Sequence, residues 1–173
     1  MYIIRREQPQ DVPKIREVNK RAFGQEQEAM IVDKLRENCK SILSLVAVTE
    51  DQIVGHILFS PAVIKGENEK HVGSGLAPLA VLPEYQRQGI GSGLVQTGVA
   101  RIRDSGCPYI IVLGYPEYYA RFGFEPASRY EISSEWKVPD EAFMILMLNR
   151  RAMKDVSGVA KYREEWGEAI NGA

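Results

Sequence analysis

The chain has 173 residues, of which 45% are hydrophobic and 26% charged, so its length and composition suit one globular domain with its own core. Lys and Arg number 22 and Asp and Glu 23, so the formal net charge of -1 excludes the basic excess typical of a nucleic-acid-binding protein. The sequence contains no apolar run long enough to span a bilayer and does not begin with a signal-peptide pattern. We therefore expect a cytoplasmic protein with no nucleic-acid or membrane partner.

The N-terminal part of the chain predicts one strand followed by two helices. Residues 1–5 are β-branched and aromatic, as in a strand. Asp11 is placed to cap a helix that ends at Gly24, because apolar residues between them recur at helical spacing. The same spacing predicts a second helix over residues 26–38.

The middle of the chain changes to strand-like patterns. Residues 42–49 and 53–64 predict an antiparallel hairpin, joined by a polar turn at residues 50–52. A third strand is expected over residues 71–81. Glycine or proline inside a strand indicates a bulge or a close approach to the backbone, and this strand contains Gly73, Gly75 and Pro78.

A helix and another strand follow, which completes a predicted βαβ unit with a parallel strand pair. The helix covers residues 89–105 and is expected to stop at Gly106. Residues 109–113 form a continuous apolar run, which is typical of a strand buried on both faces. A further strand is predicted over residues 143–148, and residues 150–173 receive no assignment.

The most informative segment is the turn between the third strand and this helix, within residues 79–94. Backbone N–H groups at the start of a helix lack internal partners and lie at the positive end of the helix dipole. Glycines there let a pyrophosphate approach the backbone, and Arg87 can add a charge-assisted contact. Taken alone, the pattern fits a glycine-rich helix start packed tightly on the sheet equally well.

Two other phosphate-binding motifs do not fit this turn. A Walker A loop requires Gly-Lys followed by Ser or Thr, but Gly93 is followed by Leu94. A dinucleotide-binding fingerprint needs a third glycine at the position of Leu94 and an acidic residue about 20 positions later. Residues 109–115 contain no Asp or Glu.

Because of the residues in this turn, the sequence resembles the GNAT N-acetyltransferase superfamily. The family hallmark, Gln/Arg-x-x-Gly-x-Gly/Ala, stands here as Gln86-Arg87-Gln88-Gly89-Ile90-Gly91. A second family feature is a tyrosine shortly before a Gly-Phe pair, which stands here as Tyr119-Ala120-Arg121-Phe122-Gly123-Phe124. The likeness covers about residues 1–148 and is greatest to the YhbS-like branch. It implies one N-acetyltransferase domain over residues 1–173, with a mixed, splayed β-sheet flanked by helices in an α/β fold.

The resemblance also implies that acetyl-CoA is the cosubstrate and that an acetyl group passes directly to an amine in a ternary complex. The turn would hold the CoA phosphates, and the end of the strand before it would pair with the pantetheine amides. A backbone N–H near Ala80 or Val81 would stabilise the developing oxyanion. The residues implied to bind acetyl-CoA are Leu79, Ala80, Val81, Gln86, Arg87, Gln88, Gly89, Ile90, Gly91 and Ser92.

Tyr119 is the residue that the resemblance implies as the general acid. A tyrosine hydroxyl has an ordinary pKa of about 10 against about 8.5 for a thiol, so it stays protonated at neutral pH and can donate to the leaving thiolate. The alternative is that Tyr118 and Tyr119 pack against Phe122 and Phe124. We favour the catalytic interpretation for Tyr119 and the packing interpretation for Tyr118.

The general base and the acceptor stay open at this stage. Water, Glu117, Glu84 and His56 are candidates for the base, although His56 lies in an apolar strand and is better explained as a structural residue. The acceptor is expected to be a small-molecule or peptide amine, in a pocket with walls from residues 23–30 and 130–138. The alternative function is an acyl-CoA-binding sensor without turnover.

The cysteines and histidines of the chain indicate neither a metal site nor a disulfide framework. There are two of each, and Cys39 and Cys107 are far apart in the sequence and have no neighbouring histidine. We expect ordinary thiols and no metal cofactor. The sequence leaves open whether the protein forms a homodimer.

Overall fold

The structure is a computed structural model that describes residues 1–171. Nine strands occur in this part of the chain: β1 (Ile3–Arg6), β2 (Leu43–Thr49), β3 (Gln52–Lys65), β4 (Lys70–Val81), β5 (Tyr109–Leu113), β6 (Glu125–Pro126), β7 (Ile132–Ser134), β8 (Phe143–Met147) and β9 (Gly158–Lys161). The α-helices there are α1 (Val12–Phe23), α2 (Gln27–Asn38), α3 (Ile90–Asp104), α4 (Pro116–Ala120) and α5 (Glu164–Asn171). The two N-terminal helices, the hairpin and the βαβ unit are therefore confirmed.

The chain folds as two compact units. The first unit contains Met1–Ser60 and Ala77–Gly98, together with the chain from Glu165 onward. The second unit contains Pro61–Leu76 and Val99–Glu164. That one domain extends over residues 1–173 stays a prediction, and the last two of these residues lie outside the described part.

Antiparallel strands form the sheet of the first unit. β2 pairs with β1 on one side and with β3 on the other. The β2–β3 connection is a two-residue turn at Glu50 and Asp51, whose φ angles of 50° and 62° are the left-handed values that a tight hairpin turn needs. This confirms the antiparallel hairpin and the polar turn predicted from the sequence.

Helix α3 packs directly on β3 in the first unit. A Cβ atom placed on Gly55 would lie 3.0 Å from a methyl carbon of Leu94 and 3.1 Å from one of Ile90. Ile90 and Leu94 are both buried at the spacing that the helical pattern requires. The start of α3, where the phosphate-binding turn is expected, is thereby held against the sheet by apolar packing.

The Asp11 side chain has a different role from the one expected. Asp11 occupies the N-cap position of α1, but its side chain makes no capping hydrogen bond to that helix. Its carboxylate instead accepts the Gln8 N–H at 2.7 Å and pairs with Arg5 at 2.6 Å. The carboxylate therefore closes the short 3-10 helix Pro9–Asp11 that precedes α1.

Parallel and antiparallel pairs both occur in the second unit, which confirms the mixed sheet. β5 pairs in parallel with β4, from Ser74 opposite Ile110 to Leu76 opposite Val112. On its other side, β5 pairs antiparallel with β8 along its full length. β8 also pairs with β6, and β9 lies between β7 and the end of β3. The predicted parallel partners are thus neighbours.

The glycines of β4 make room for aromatic rings, as the close-approach interpretation predicted. A Cβ atom on Gly73 would collide with the ring of Tyr109, and one on Gly75 would lie 2.6 Å from the ring of Tyr162. The hydroxyl of Tyr162 donates to the Leu76 carbonyl at 2.9 Å. The parallel ladder ends at Leu76, two residues before Pro78.

The C-terminal segment that the sequence left unassigned contains β9 and α5. It supplies Tyr162, which is buried at the end of the β4–β5 ladder. Within the described residues, no helix combines the length and the apolar character needed to cross a membrane.

Candidate active site

The glycine-containing turn in the first unit reverses the chain sharply between β4 and α3. A short 3-10 helix, Pro83–Tyr85, comes first, and α3 begins at Ile90. Between them, Arg87 and Gly89 have φ angles of 63° and 85°, in the left-handed region. Alternating backbone handedness of this kind points successive N–H groups toward a common concavity that suits an anion.

Hydrogen bonds within the first unit hold this turn in shape. The Gln86 side-chain amide donates to the Val81 carbonyl at 3.0 Å, and the Gln88 amide donates to the Glu84 carbonyl at 3.3 Å. The Gly89 carbonyl accepts the Tyr2 hydroxyl at 3.0 Å. Since both glutamine side chains bind the backbone of the turn itself, its predicted anion-binding role falls to backbone N–H groups and Arg87.

The glycines around the helix start are required for different reasons. A Cβ atom on Gly93 would collide with the Tyr2 hydroxyl, so the packing interpretation is correct for Gly93. Gly89 is exposed and a Cβ atom there would meet nothing within 4 Å. Its left-handed backbone, which a side chain would strain, explains the glycine at this position.

The strand end before the turn alternates in burial. Ala80 is buried in the core, whereas Leu79 and Val81 are half-buried. This alternation places Leu79 and Val81 on the face of β4 opposite to Ala80. The chain then returns to β3, because the Leu82 N–H donates to the Val54 carbonyl at 2.9 Å.

Tyr119 lies in the second unit, on the short helix α4 that follows β5. Its ring lies over Gly114, where a Cβ atom would approach it to 2.6 Å. It also meets the ring of Phe124 edge to face at 5.6 Å between centroids. Burial, together with the neighbouring Tyr118, raises the pKa of the Tyr119 phenol above its ordinary value. The hydroxyl therefore stays protonated at neutral pH, as a proton donor must.

Tyr118 belongs to a surface aromatic cluster. Its ring meets that of Phe122 edge to face at 5.4 Å, and the Arg121 guanidinium lies 5.4 Å from the ring centroid. Tyr118 is half-buried, in contrast to Tyr119, which is only 7% exposed. These contacts agree with the packing interpretation of Tyr118, while Tyr119 combines packing with a protonated hydroxyl.

Two of the candidate general bases are poorly suited to that role. The Glu84 carboxylate accepts two hydrogen bonds from the Arg21 guanidinium, at 2.8 and 2.7 Å, which lower its pKa. His56 is fully buried, and burial lowers its pKa to about 4. Glu117 is exposed in the first turn of α4, two residues before Tyr119.

His56 instead belongs to a buried polar network in the first unit. The Asn19 amide nitrogen lies 3.0 Å from the Ile15 carbonyl and 3.1 Å from His56 Nδ1, so Nδ1 accepts and His56 Nε2 carries the proton. Nε2 then donates to Ser44 Oγ at 2.9 Å, and Ser44 donates to Glu7 at 2.7 Å. This arrangement agrees with the structural role expected for His56.

The described residues contain no cluster of three or more His, Cys, Asp or Glu side chains that could hold a metal ion. Cys39 and Cys107 are both free thiols, and burial raises the pKa of Cys107. A raised pKa disfavours the reactive thiolate, so the structure gives no sign of an activated cysteine at Cys107.

Comparison with known proteins defines the class of this protein. The model of a family described as an acetyltransferase (GNAT) domain matches residues 3–127. The chain therefore belongs to the GNAT acetyltransferase family, as its sequence motifs predicted.

Two relatives from Escherichia coli K12 are both described as uncharacterised N-acetyltransferases. YjhQ is 45% identical over 134 residues, which cover 76% of this chain and 74% of YjhQ. YhbS is 36% identical over 165 residues, which cover 95% of this chain and 98% of YhbS. The predicted similarity to the YhbS-like branch is thus confirmed.

Two solved structures of relatives contain the cosubstrate or its product. The crystal structure of E. coli YhbS in complex with CoA has a TM-score of 0.89 and 34% identity, covering 96% of this chain and 92% of that one. A GNAT family acetyltransferase from Brucella melitensis in complex with acetyl-CoA has a TM-score of 0.78 and 35% identity, covering 96% of this chain and 98% of that one. Both matches confirm the fold.

The sequence reasoning missed Tyr162, which lies in the unassigned C-terminal segment. Its hydroxyl reaches two strands, since it lies 2.9 Å from the Leu76 carbonyl and 3.3 Å from the Ile111 carbonyl. A glycine within a buried strand, such as Gly75, signals that a bulky group must cover it. The glycine alone does not indicate which aromatic residue of the chain covers it.

Proposed function

We propose that this protein transfers the acetyl group of acetyl-CoA to the amine of an acceptor. The observation that carries this proposal is the turn over residues 86–92, with its two left-handed residues opening directly into α3. Such a turn presents N–H groups and the positive end of a helix dipole to an anion. The acetyl-CoA complex of the Brucella relative supports the same ligand.

In this proposal, the CoA phosphates bind the backbone N–H groups of the turn, with Arg87 adding a charge-assisted contact. The pantetheine amides pair with β4 at Leu79 and Val81, whose side chains share one face of the strand. Gln86 and Gln88 shape the turn through their bonds to its backbone. Gly91 and Ser92 lie in the first turn of α3, at the positive end of its dipole.

The chemical step joins the amine nitrogen to the thioester carbonyl carbon and breaks the bond between that carbon and sulfur. A backbone N–H at Ala80 or Val81 stabilises the oxyanion that forms on the way. Tyr119 gives its proton to the departing thiolate and recovers one from solvent. The proton lost by the amine passes to water or to Glu117, which is exposed near Tyr119 in the chain.

The phosphate-binding role of the turn is tested with Gly91→Glu. The new carboxylate would occupy the phosphate site and repel the phosphates, so titration calorimetry should show acetyl-CoA binding strongly weakened. Gly167→Glu is the matched control, because Gly167 lies in α5 with open space around it. Equal acetyl-CoA affinity of the two folded variants would show that the turn does not bind the phosphates.

The role of Tyr119 is tested with Tyr119→Phe, which removes the hydroxyl and keeps the ring over Gly114. General acid catalysis is typically worth about 10²–10⁴-fold, so kcat should fall by that factor while acetyl-CoA affinity stays nearly unchanged. Tyr118→Phe is the control and should have a small effect. Unchanged turnover of Tyr119→Phe would mean that water supplies the proton.

Turnover itself separates this proposal from a sensor that binds acyl-CoA without reacting. An acetyltransferase releases free CoA thiol from acetyl-CoA in the presence of a suitable amine, whereas a sensor binds acetyl-CoA and releases none. Thiol release is therefore measured with wild-type protein over a panel of amines. Binding of acetyl-CoA without release for any amine would favour the sensor.

A further inference from the structure

The second unit contains a cavity of about 130 Å³ between the chain after β6 and the start of β8. One part of its lining is apolar, with Trp136 and Phe143 as the aromatic residues. The serines Ser128, Ser133 and Ser134 line another part. The cavity overlaps the segment over residues 130–138 in which the sequence placed one wall of an acceptor pocket.

The aromatic wall of this cavity is held in a fixed position. The ring of Trp136 stacks on that of Tyr162, with centroids 5.5 Å apart and planes inclined by 16°. Tyr162 is in turn anchored by its hydroxyl on the Leu76 carbonyl. The Trp136 backbone N–H also donates to Ser134 Oγ at 3.0 Å. A wall fixed in this way loses little conformational freedom when a ligand packs against it.

The cavity and Tyr119 are joined by the same pair of strands. Phe143, which lines the cavity, lies directly opposite Leu113 in the β5–β8 ladder. The next residue, Gly114, lies beneath the Tyr119 ring and donates its N–H to the Ala142 carbonyl at 3.0 Å. The cavity and the short helix that carries the proposed proton donor therefore both border the Leu113–Phe143 end of this strand pair.

The size of the cavity limits what it can hold. An apolar cavity of roughly 150 Å³ binds benzene, so a volume of about 130 Å³ suits a single six-membered ring or a group of similar size. The tryptophan and phenylalanine provide apolar faces for such a ring. The serine hydroxyls suit a polar substituent on it.

Strongly charged ligands find little matching charge in the lining of the cavity. Lys137 and Asp140 are the two charged residues among those that line it, and both are exposed. Their formal charges cancel. A polyamine or an aminoglycoside would need several carboxylates, and a nucleotide would need several cations, so neither finds matching charge here.

We infer that the cavity binds the non-reacting end of the acceptor, and that the acceptor is a small monoamine with one compact, uncharged ring, such as an arylalkylamine. This inference rests on the proposed acetyl transfer. The ring lies against Trp136 and Phe143, a ring hydroxyl reaches the serine side chains, and the amine extends from the cavity toward Tyr119. The amine nitrogen then forms the bond to the acetyl carbon.

Acceptor preference is the first test. Thiol release from acetyl-CoA is measured with tyramine, phenethylamine, spermidine and a lysine-containing peptide as acceptors. We expect kcat/KM to be at least about tenfold higher for tyramine and phenethylamine than for spermidine and the peptide, since even one missing methylene in an apolar pocket costs about 10–200-fold. Equal or higher values for spermidine or the peptide would overturn the inference and leave acetyl transfer standing.

Filling the cavity is the second test. Ser133→Phe adds a ring at an exposed lining position of β7, and Ser157→Phe makes the same change at an exposed position that does not line the cavity. The first variant should lose at least about tenfold in kcat/KM for tyramine at unchanged acetyl-CoA affinity, and the second should behave as wild type. Equal kcat/KM for the two variants would overturn the inference.

Ligand binding is measured separately from turnover, so that acetyl transfer and ligand binding in the cavity can be refuted independently. The protein has two tryptophans, and Trp136 is the one that lines the cavity, so phenethylamine should change the intrinsic fluorescence. The change should disappear in Trp136→Phe and in Ser133→Phe. Binding without thiol release for any amine would refute acetyl transfer and support the cavity assignment, whereas wild-type protein that shows no fluorescence response would refute the cavity assignment.

Discussion

The buried histidine should make the protein measurably less stable in mild acid. His56 is fully buried, and burial lowers its pKa from 6.5 to about 4. The groups that face it are Asn19, Ser44 and Glu7, with the charge of Arg36 behind them. Burial acts most strongly here, because the imidazolium would lose its hydration and His56 Nδ1 already faces an amide donor.

The sign of the effect follows from proton binding in the two states. The unfolded chain binds a proton at His56 below pH about 6.5, whereas the folded chain does so only below about 4. Folding is therefore disfavoured as the pH falls through this window. Between pH 7.5 and 5 the two pKa values predict a loss of about 2 kcal/mol in the free energy of unfolding.

The assay is urea unfolding followed by fluorescence at pH 7.5, 6.5, 5.5 and 5, with His56→Gln as the comparison. The variant should be less stable at pH 7.5, because it disturbs the buried network, but its stability should fall much less toward pH 5. His71 is the other of the two histidines and is present in both proteins, so its contribution cancels in the difference. The same pH dependence in both proteins would refute the assignment of the acid sensitivity to His56.

The remaining predictions concern the contacts of β4. Gly75→Ala should lower the free energy of unfolding by about 1–3 kcal/mol, because the added Cβ would lie 2.6 Å from the Tyr162 ring. Gly167→Ala should raise it by up to about 1 kcal/mol, because Gly167 lies within α5 and has open space around it. If urea unfolding gave both variants the same stability, the packing of Tyr162 on Gly75 would be contradicted. Tyr162→Phe should cost about 1–3 kcal/mol in the same assay, because the buried carbonyl of Leu76 loses its donor, and wild-type stability would show that water replaces the hydroxyl.

Much of the fold could be predicted because the information is local. The continuous apolar run of residues 109–113 becomes β5, with the bounds expected from it, since a strand buried on both faces needs no polar positions. The helix before it in the chain, α3, follows from apolar spacing and ends near Gly106, whose φ of 87° only glycine adopts easily. In each case the deciding signal lies within one element.

The candidate site could be predicted only in part. The motif over residues 86–91 locates a turn of the expected kind, but its shape depends on Tyr2, whose hydroxyl binds the Gly89 carbonyl. The choice among possible bases also needed the structure. Arg21 pairs with Glu84 although the two residues are 63 positions apart in the sequence, and no sequence pattern near Glu84 predicts that pairing.

By itself, the sequence determined the order of the principal elements, the family and the turn that is proposed to bind acetyl-CoA. These depend on periodicity, glycine positions and short motifs, which a few neighbouring residues specify. The tertiary structure alone decided that Tyr162 covers Gly75 and bonds to Leu76, 86 positions away, and that Trp136 stacks on it beside a cavity. Such contacts form when segments that are distant in the sequence pack against each other in the core. The local sequence pattern of neither segment specifies that packing.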